Sequence, residues 1–293
     1  MSSIAVRPLT FAQRDAVALN LHLTGHCNME CKGCFARFGS NLRSRKMLPK
    51  LSTEDWLRVI STLAAMPGGG VSRKINFVGG EPLLIKDLPV LLAHAKKEGF
   101  TTSLVTNASL LSRRLKEVAE HTDWVGISID SFDERTTLKL GRHSSGRMVD
   151  YLPVIGEVKA QGIKVKINTV VSHLNWDEDM SEPLQIAMPD RWKVLRLLLI
   201  DGENDSQTHM VPTDSEFTAF VTRHSHLQPI VEDNDAMRGS YLMVGPDGFL
   251  LDNSSGPYRR ITSLLAPEWE GIGGYLDSVG DRMDMRGGVY DWA

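Results

Sequence analysis

The chain has 293 residues, of which 42% are hydrophobic and 24% are charged. That is enough apolar sequence for one large or two ordinary globular domains, and it excludes a disordered or fibrous protein. The 33 Lys and Arg residues against 36 Asp and Glu residues give a net charge of −3, so a polyanion would need a local pocket. No apolar run reaches the ~18 residues of a membrane span, and no signal-peptide core precedes residue 20. We therefore expect a cytoplasmic monomer that binds neither nucleic acid nor membranes.

Apolar segments rich in β-branched residues alternate with amphipathic segments along the first two thirds of the chain. Strands are predicted at 17–23, 74–79, 101–106, 124–130, 163–171 and 193–200. Helices that end at Gly or Pro signals are predicted at 53–66, 85–99 and 148–162. This alternation predicts an α/β fold with a parallel sheet and right-handed crossovers. Six units are too few for a closed eight-unit barrel, so we expect an incomplete, open barrel or a doubly wound sheet.

The pattern changes after residue 204. A helix is predicted at 214–224 and a β-hairpin at 240–253, because Pro246, Asp247 and Gly248 favour a tight turn between two apolar arms. No low-complexity linker precedes this part of the chain. We therefore divide the sequence into a lead-in (1–16), a partial barrel (17–204) and a C-terminal extension (205–293) that caps the same domain.

All three cysteines lie within eight residues, at Cys27, Cys31 and Cys34, directly after the first predicted strand. An odd, clustered set is a poor disulfide framework, and a reducing compartment would leave the thiols available to a metal. Three thiolates on one loop can ligate three irons of a [4Fe–4S] cluster and leave the fourth iron open for a substrate or cofactor. The alternative is a structural zinc site with His22 or His26 as the fourth ligand.

Other residues with binding chemistry follow the predicted strands. Gly79 and Gly80 end the second strand and let the backbone approach a ligand, offering amide and carbonyl groups to an amino-acid head group. Asn107 ends the third strand, and Ser128 and Asp130 end the fourth, where Asp130 is expected to accept hydrogen bonds from ribose hydroxyls. Ligands of parallel α/β folds bind at the carboxyl ends of the strands. We therefore expect one site to gather these residues with the cysteines.

The spacing C-x3-C-x2-C followed by GGEP resembles the signature of radical S-adenosylmethionine (SAM) enzymes, whose fold would be an incomplete (β/α)6 barrel. From about residue 20 to residue 292 the chain is similar to the viperin family, including its prokaryotic members. The matching segments occur in the same order: NLHLTGHCNMECKGCF, KINFVGGEPLL, SLVTNASLL, GISIDSFDERTTLKLGR, VKINTVV, DRWKV, LLIDGEN, SYL and MRGGVYDW. SIDSFDE, DRWKV, DGEN and RGGVY are not general to radical SAM proteins, so the resemblance is specific to this family.

This resemblance implies a radical SAM nucleotide dehydratase with a [4Fe–4S] cluster and SAM as cofactors. Reductive cleavage of SAM would give a 5′-deoxyadenosyl radical, with electrons from a donor such as flavodoxin or ferredoxin. The implied substrate is a ribonucleoside triphosphate, usually CTP with GTP or UTP as alternatives. Its implied product is the 3′-deoxy-3′,4′-didehydro analogue, a chain terminator in antiviral defence against phage. A radical SAM enzyme acting on a peptide or tRNA, and a zinc-stabilised binding module, are the competing hypotheses.

The resemblance also implies roles for individual residues. Gly79, Gly80 and Glu81 would bind the amino group of SAM. Asn107, Ser128 and Arg142 would surround its methionyl and ribosyl parts, because the guanidinium of Arg142 has the fork that binds a carboxylate. The residues that match nucleotide-binding positions are Asn20, Lys74, Asn76, Lys166, Asn168, Arg191, Lys193, Arg286 and Gly287.

Two pairs of these nucleotide-binding candidates can be checked against strand geometry. Residues i and i+2 of a strand project from the same face, so Lys166 can point with Asn168, and Arg191 with Lys193. Solvated charges flanking a strand are the alternative for any one of them. Tyr241 matches a tyrosine near the substrate ribose that would supply the hydrogen or proton needed after loss of the 3′-hydroxyl. A core tyrosine is the alternative there.

The sequence departs from the family pattern at two places. Gly33 stands before the last cysteine, where many radical SAM proteins have an aromatic residue, and Phe35 follows that cysteine instead. Val78 stands where animal viperins have a serine. We expect contacts to the adenine of SAM and to the base or ribose of the substrate to differ accordingly.

Overall fold

The computed structural model describes residues 10–14, 16–38, 51–66, 72–288 and 290–292. Within these ranges the strands are β1 (Ala16–His22), β2 (Ser72–Val78), β3 (Thr101–Thr106), β4 (Trp124–Ser128), β5 (Lys164–Val171), β6 (Arg191–Arg196), β7 (Ile230–Glu232), β8 (Leu242–Val244), β9 (Phe249–Asp252) and β10 (Arg259–Ser263). The helices are α1 (Thr53–Ala64), α2 (Leu88–Lys97), α3 (Leu111–Val118), α4 (Glu134–Leu140), α5 (Tyr151–Ala160), α6 (Ser181–Ala187), α7 (Asp214–Arg223), α8 (Asn234–Met237) and α9 (Gly273–Met285).

All ten described strands form one sheet in the order β10-β9-β8-β1-β2-β3-β4-β5-β6-β7. From β1 to β7 each strand pairs in parallel with the next strand along the chain, and β8 adds in parallel to the free side of β1. A doubly wound sheet would reverse its strand order at a switch point, and β1 to β7 contain no reversal. The edges β10 and β7 do not pair in the described part of the chain. These observations confirm the open, incomplete barrel and exclude the doubly wound alternative.

The two faces of the sheet differ in polarity. In β5 the side chains of Val165, Ile167 and Thr169 are completely buried, whereas Lys166 and Asn168, between them, are partly exposed. Because successive side chains of a strand project from opposite faces, one face packs beneath the helices and the other presents polar groups. A parallel sheet with two covered faces would have near-continuous apolar strands, so the alternation leaves an inner face suited to a polar ligand.

The helices cover the apolar face, as α1 illustrates. Its first turn is closed by a capping box in which the Ser52 side chain accepts from the backbone N–H of Asp55 and the Asp55 side chain accepts from that of Ser52. Trp56, Ile60 and Leu63 then fall on one side of the helix at three- and four-residue spacing and are buried in the main core. The sequence pattern therefore determines both where this helix begins and which side faces the sheet.

Differences from the sequence-based prediction concern short strands, boundaries and helices, because α3, α4, α6, α8 and α9 are not among the predicted segments. The predicted hairpin is confirmed, because β8 and β9 pair in antiparallel register across a turn at residues 245–248. The sixth strand was predicted two residues too late: it begins at Arg191, which pairs with Lys166 of β5, and it ends at Arg196. β7 and β10 were not predicted, since three and five residues carry too little periodicity.

Residues 205–293, predicted to form a cap, contribute four strands of the same sheet and α9. The boundary at residue 204 stays a prediction. Among the helices in the described ranges, none is both long and apolar enough to cross a membrane.

The core argument predicts a contrast between two isoleucines. Ile167→Ala removes a completely buried side chain on the helix-covered face and should lower the free energy of unfolding by about 2 to 5 kcal/mol. Ile186→Ala removes the same atoms from a side chain that is 58% exposed on α6 and should change it by less than about 0.5 kcal/mol. Chemical denaturation of both variants measures the difference, and equal effects would contradict the assignment of the two faces.

Candidate active site

The loop that carries the cysteines is held by the backbone of the GGEP segment. The N–H of Gly80 donates to the carbonyl of Thr24 at 2.5 Å, and the N–H of Glu81 donates to the carbonyl of His26 at 2.9 Å. A Cβ at position 80 would lie 2.1 Å from the carbonyl oxygen of His26, so only glycine allows this approach. The end of β2 therefore positions the first cysteine, Cys27.

Asn204 holds the other end of the same loop. Its side-chain amide is completely buried and donates to the carbonyls of Gly33 and Leu198 at 2.9 Å each, while its oxygen accepts from the N–H of Ile200 at 2.8 Å. Asn204 is the last residue of the DGEN segment, for which the sequence analysis identified no role. These hydrogen bonds fix the backbone beside the last cysteine, Cys34.

Cys27, Cys31 and Cys34 are free thiols that are partly shielded from solvent. Burial raises the pKa of each thiol, that of Cys31 to about 12, and the charge of Cys34 raises the pKa values of Cys27 and Cys31 further. The Sγ of Cys27 accepts from the N–H of Met29 at 3.4 Å and lies 3.7 Å from the side-chain nitrogen of Asn107. Because burial disfavours the ionised form of these thiols, a cation that binds the thiolates would stabilise that form strongly.

The donor set fits a [4Fe–4S] cluster better than a zinc ion. In a four-iron cluster each thiolate binds a different iron, so three cysteines suffice and one iron stays open. A structural zinc site needs four ligands around one ion. Within the described residues no group of three or more His, Cys, Asp or Glu side chains converges on a single ion. Of the two histidines proposed as the fourth zinc ligand, His22 is buried against the ring of Phe38, at 4.7 Å between centroids.

Glu81 connects the ends of two strands from inside the protein. Its carboxylate is completely buried and accepts hydrogen bonds from the hydroxyl of Thr106 at 2.7 Å and from the N–H groups of Asn107 and Leu83 at 2.8 and 3.1 Å. Burial raises the pKa of Glu81 to about 7, against these hydrogen bonds, which lower it. Gly79 and Gly80 lie directly beside it. The binding of the SAM amino group by these three residues stays a prediction.

Arg142 and Asp130 bind each other across the end of β4. The Nε of Arg142 donates to one oxygen of Asp130, whose other oxygen accepts from the N–H of Val170 at 2.8 Å. Arg142 also donates to the carbonyl of Ser128 at 3.2 Å. Burial disfavours the charge of Arg142, but the nearby Asp130 and Cys31 outweigh burial and raise its pKa. The sequence analysis predicted that each of the two side chains binds part of SAM, and here they form an ion pair beside the cysteine loop.

The predicted nucleotide-binding side chains come together on the inner face of the sheet. Cross-strand register places Lys166 beside Arg191 and Asn168 beside Lys193, so the two pairs predicted from the i, i+2 spacing lie next to each other. On the other side of the site, the Asn76 side chain donates to the side-chain oxygen of Asn20 at 2.9 Å. The five basic side chains of this surface are Lys74, Lys166, Arg191, Lys193 and Arg286, which we call the basic cluster.

Crowding of like charges perturbs the lysines of the basic cluster. Burial first, and repulsion by neighbouring cations second, lower the pKa of Lys74 to about 6 and that of Lys166 to about 7. Burial likewise lowers the pKa of Lys193 to about 8, although the adjacent Glu232 opposes the change. A bound polyanion would remove this repulsion, so the basic cluster is suited to phosphate groups.

Aromatic residues enclose one side of the basic cluster. The Nζ of Lys74 donates to the hydroxyl of Tyr290 at 2.8 Å and lies 4.4 Å from the ring centroid of Trp124. The guanidinium of Arg191 lies 3.8 Å from the ring centroid of Tyr290. The indole N–H of Trp124 donates to the carbonyl of Trp292 at 3.1 Å, which fixes the last described residues against β4. The sequence analysis missed Tyr290, although RGGVYDW was among the matching segments.

Tyr241 lies within the basic cluster and not in the main core. Its hydroxyl donates to Glu232, and the Nζ of Lys193 lies 3.1 Å from the same hydroxyl. The guanidinium of Arg286 stacks on its ring at 3.8 Å. Arg191 also donates to the carbonyl of Gly287 at 3.1 Å, so the candidate residues at 286 and 287 belong to the same site. Glu232, on the unpredicted strand β7, is a further residue that sequence reasoning missed.

Comparisons with known proteins agree with this geometry. A sequence profile described as the Radical SAM superfamily matches residues 21–182. Among solved structures, SuiB of Streptococcus suis bound to its precursor peptide SuiA superimposes with a TM-score of 0.65 at 16% identity, over 89% of this chain and 65% of that chain. At this identity the likeness shows the fold alone.

Curated relatives are similar over most of the chain. A protein of Lacinutrix mariniflava named S-adenosylmethionine-dependent nucleotide dehydratase is 38% identical over 94% of this chain and 58% of its own length. A protein of the same name from Flammeovirga pacifica is 35% identical over 94% of this chain and 96% of its own length. This chain thus spans little more than half of the first relative and nearly all of the second. The chain therefore belongs to the radical SAM superfamily and, within it, to the family of S-adenosylmethionine-dependent nucleotide dehydratases.

Proposed function

We propose that this enzyme removes the 3′-hydroxyl of a ribonucleoside triphosphate, with CTP as the first substrate to test and GTP and UTP as alternatives. The observation that carries the proposal is the basic cluster, five cationic side chains on the inner face of a sheet whose first loop holds three cysteines. Relatives named nucleotide dehydratases support the substrate class. Glu232 offsets only part of this positive charge, and a peptide without acidic groups would not match the rest, so the basic cluster favours a triphosphate.

In this proposal Cys27, Cys31 and Cys34 hold a [4Fe–4S] cluster. When bound, the cluster and SAM supply a 5′-deoxyadenosyl radical that abstracts a hydrogen atom. The side chains of the basic cluster bind the triphosphate and so fix the distance of the ribose from the cysteine loop. We further propose an electron donor of the flavodoxin or ferredoxin type, and a product that acts as a chain terminator in antiviral defence.

Tyr241 is proposed to act on the ribose after hydrogen abstraction. Loss of the 3′-hydroxyl as water from a ribose with a radical at C4′ requires one proton and one electron in total. A phenol that gives up its hydrogen atom supplies both and becomes a tyrosyl radical, and the C3′–C4′ double bond of the product then forms. One electron from the proposed donor and one proton from solvent would restore the phenol. The contacts of the Tyr241 hydroxyl with Lys193 and Glu232 keep it in the part of the site where the triphosphate would bind.

Isotope transfer tests the reaction. With deuterium at C4′ of the best nucleoside triphosphate, we expect deuterium in the 5′-deoxyadenosine released, because a radical at C4′ lies next to the leaving 3′-hydroxyl. Deuterium at C3′ should stay in the nucleotide. Mass spectrometry of the isolated 5′-deoxyadenosine distinguishes the positions. Transfer from C3′ or C2′, or no nucleotide-dependent transfer from any of the four triphosphates, would refute the proposed function.

The basic cluster predicts a specific kinetic effect. Lys166→Ala or Arg191→Ala should raise the nucleotide KM roughly ten- to a hundredfold, because a charge-assisted hydrogen bond contributes about 1.5 to 3 kcal/mol. SAM cleavage without nucleotide should stay near the wild-type rate. Lys139→Ala, which removes an exposed lysine of α4, is the matched control and should change neither quantity. Equal loss of both activities in the cluster variants would mean that the substitutions damage the fold instead.

The lowered lysine pKa values predict a pH dependence. Below pKa values of about 6 to 8 the lysines of the empty site are already protonated, whereas at higher pH they must take up protons as the triphosphate binds. The nucleotide KM should therefore rise between pH 7 and pH 9, against the effect of the triphosphate, which only gains negative charge over this range. Steady-state kinetics at fixed ionic strength measures this, and a KM that is flat over the range would contradict it.

A further inference from the structure

Glu232 ends β7, and its side chain contacts two cations of the basic cluster. It is completely buried. Its carboxylate binds side chains from three separate parts of the chain: Lys193 on β6, Arg286 after α9 and Tyr241 before β8. A single side chain thus joins three candidate substrate-binding or catalytic residues that the sequence keeps more than 90 positions apart from first to last.

Both oxygens of this carboxylate are occupied. Oε1 accepts from the Nζ of Lys193 and from the guanidinium of Arg286, the latter at 3.0 Å, and Oε2 accepts from the hydroxyl of Tyr241. Burial alone would raise the pKa of Glu232, but Lys193 and Arg286 outweigh it and hold the pKa below its usual range. The carboxylate therefore stays ionised at neutral pH. Neutralising or removing this carboxylate would leave buried cations without their partner and would lower the free energy of unfolding.

The relative exposure of the partners gives the arrangement a direction. The side chain of Glu232 is 0% exposed, whereas those of Lys193 and Arg286 are 11% and 5% exposed. The two cations thus keep some exposure to solvent, whereas the carboxylate has none. A triphosphate would contact Lys193 and Arg286, and Glu232 would stay out of contact with it.

Further charges act on the same group of residues. Lys166 and Arg191 face Lys193 and Arg286 from β5 and the start of β6, and each of these cations disfavours the charge of the others. Without Glu232, Lys193 and Arg286 would lose the carboxylate that both of them bind. Repulsion would then displace the long side chains or discharge the lysines, and either change weakens the binding of phosphate.

We propose that Glu232 is a positioning residue, an internal counter-ion that keeps Lys193 protonated, holds Lys193 and Arg286 in place for the triphosphate and orients the hydroxyl of Tyr241 toward the ribose. It acts through these three residues and does not touch the substrate. The proposal deepens the proposed function and rests on it for the identity of the nucleotide, but the charge effect can be measured with inorganic tripolyphosphate alone.

The test compares three variants of the reconstituted enzyme. Glu232→Gln keeps the shape and removes the charge, and Glu232→Asp keeps the charge on a shorter side chain. Asp252→Asn is the matched control, because Asp252 is a buried carboxylate that pairs with Arg259 away from the basic cluster. The measurements are tripolyphosphate affinity by calorimetry and nucleotide KM and kcat, each between pH 6.5 and pH 9, together with SAM cleavage in the absence of nucleotide.

Glu232→Gln should weaken tripolyphosphate binding and raise the nucleotide KM by about tenfold or more at pH 8. The rise of KM with pH should begin at a lower pH than in the wild type, because the pKa of Lys193 falls further once its counter-ion is gone. Glu232→Asp should recover part of the affinity. Asp252→Asn should match the wild type, and SAM cleavage without nucleotide should be unchanged in all variants.

A Glu232→Gln enzyme with wild-type affinity and an unshifted pH profile would overturn the proposal. If that variant does not fold, as judged by chemical denaturation, Glu232→Asp decides: wild-type affinity and pH profile with the carboxylate displaced would overturn it, and weaker binding with a shifted profile would support it. A wild-type enzyme that binds tripolyphosphate but dehydrates no nucleotide refutes the proposed function, and the Glu232 comparison then stands on tripolyphosphate alone.

Discussion

Like charges repel strongly where water is excluded, and the inner face of this sheet concentrates five cationic side chains in such a place. Two kinds of protein group offset that repulsion, aromatic rings and one carboxylate. Tyr290 and Trp124 lie against Lys74 and Arg191, and π faces attract cations without adding a net negative charge that would oppose a phosphate. Glu232 supplies one full negative charge behind Lys193 and Arg286. The positive charge that these groups do not offset lowers the pKa values of Lys74 and Lys166, and it is available to bind an anionic ligand.

The cysteine loop is governed by a different constraint, which is backbone position. Its first part is fixed by hydrogen bonds from Gly80 and Glu81, and its last part by the buried amide of Asn204. Since these groups come from β2 and from the segment after β6, the loop is attached to both sides of the open barrel. The sheet itself therefore sets the distance between the cysteines and the basic cluster. A substrate bound by its phosphates would lie at a fixed distance from the cysteine loop.

Local patterns in the sequence are sufficient to predict much of this arrangement. Alternation predicts that Lys166 and Asn168 share one face of their strand. Only the structure shows that β6 begins at Arg191 and that its register sets Arg191 and Lys193 beside them. Glu232 could not be found in this way, because a three-residue strand has no readable period and its partners are distant in sequence. The ion pair of Asp130 with Arg142 was missed for a related reason: each residue suits a ligand, and only the fold shows that they reach each other.

Tyr241 links the electrostatics of the site to its proposed chemistry. Its hydroxyl donates to Glu232, and its ring carries the guanidinium of Arg286, so its position depends on the same ion pairs that prepare the triphosphate site. Burial and the adjacent carboxylate raise its pKa, which keeps the phenol protonated and retains the hydrogen that the proposed reaction requires. One buried acid therefore contacts both the cations that are proposed to bind phosphate and the tyrosine that is proposed to act on the ribose, so the geometry of both depends on Glu232.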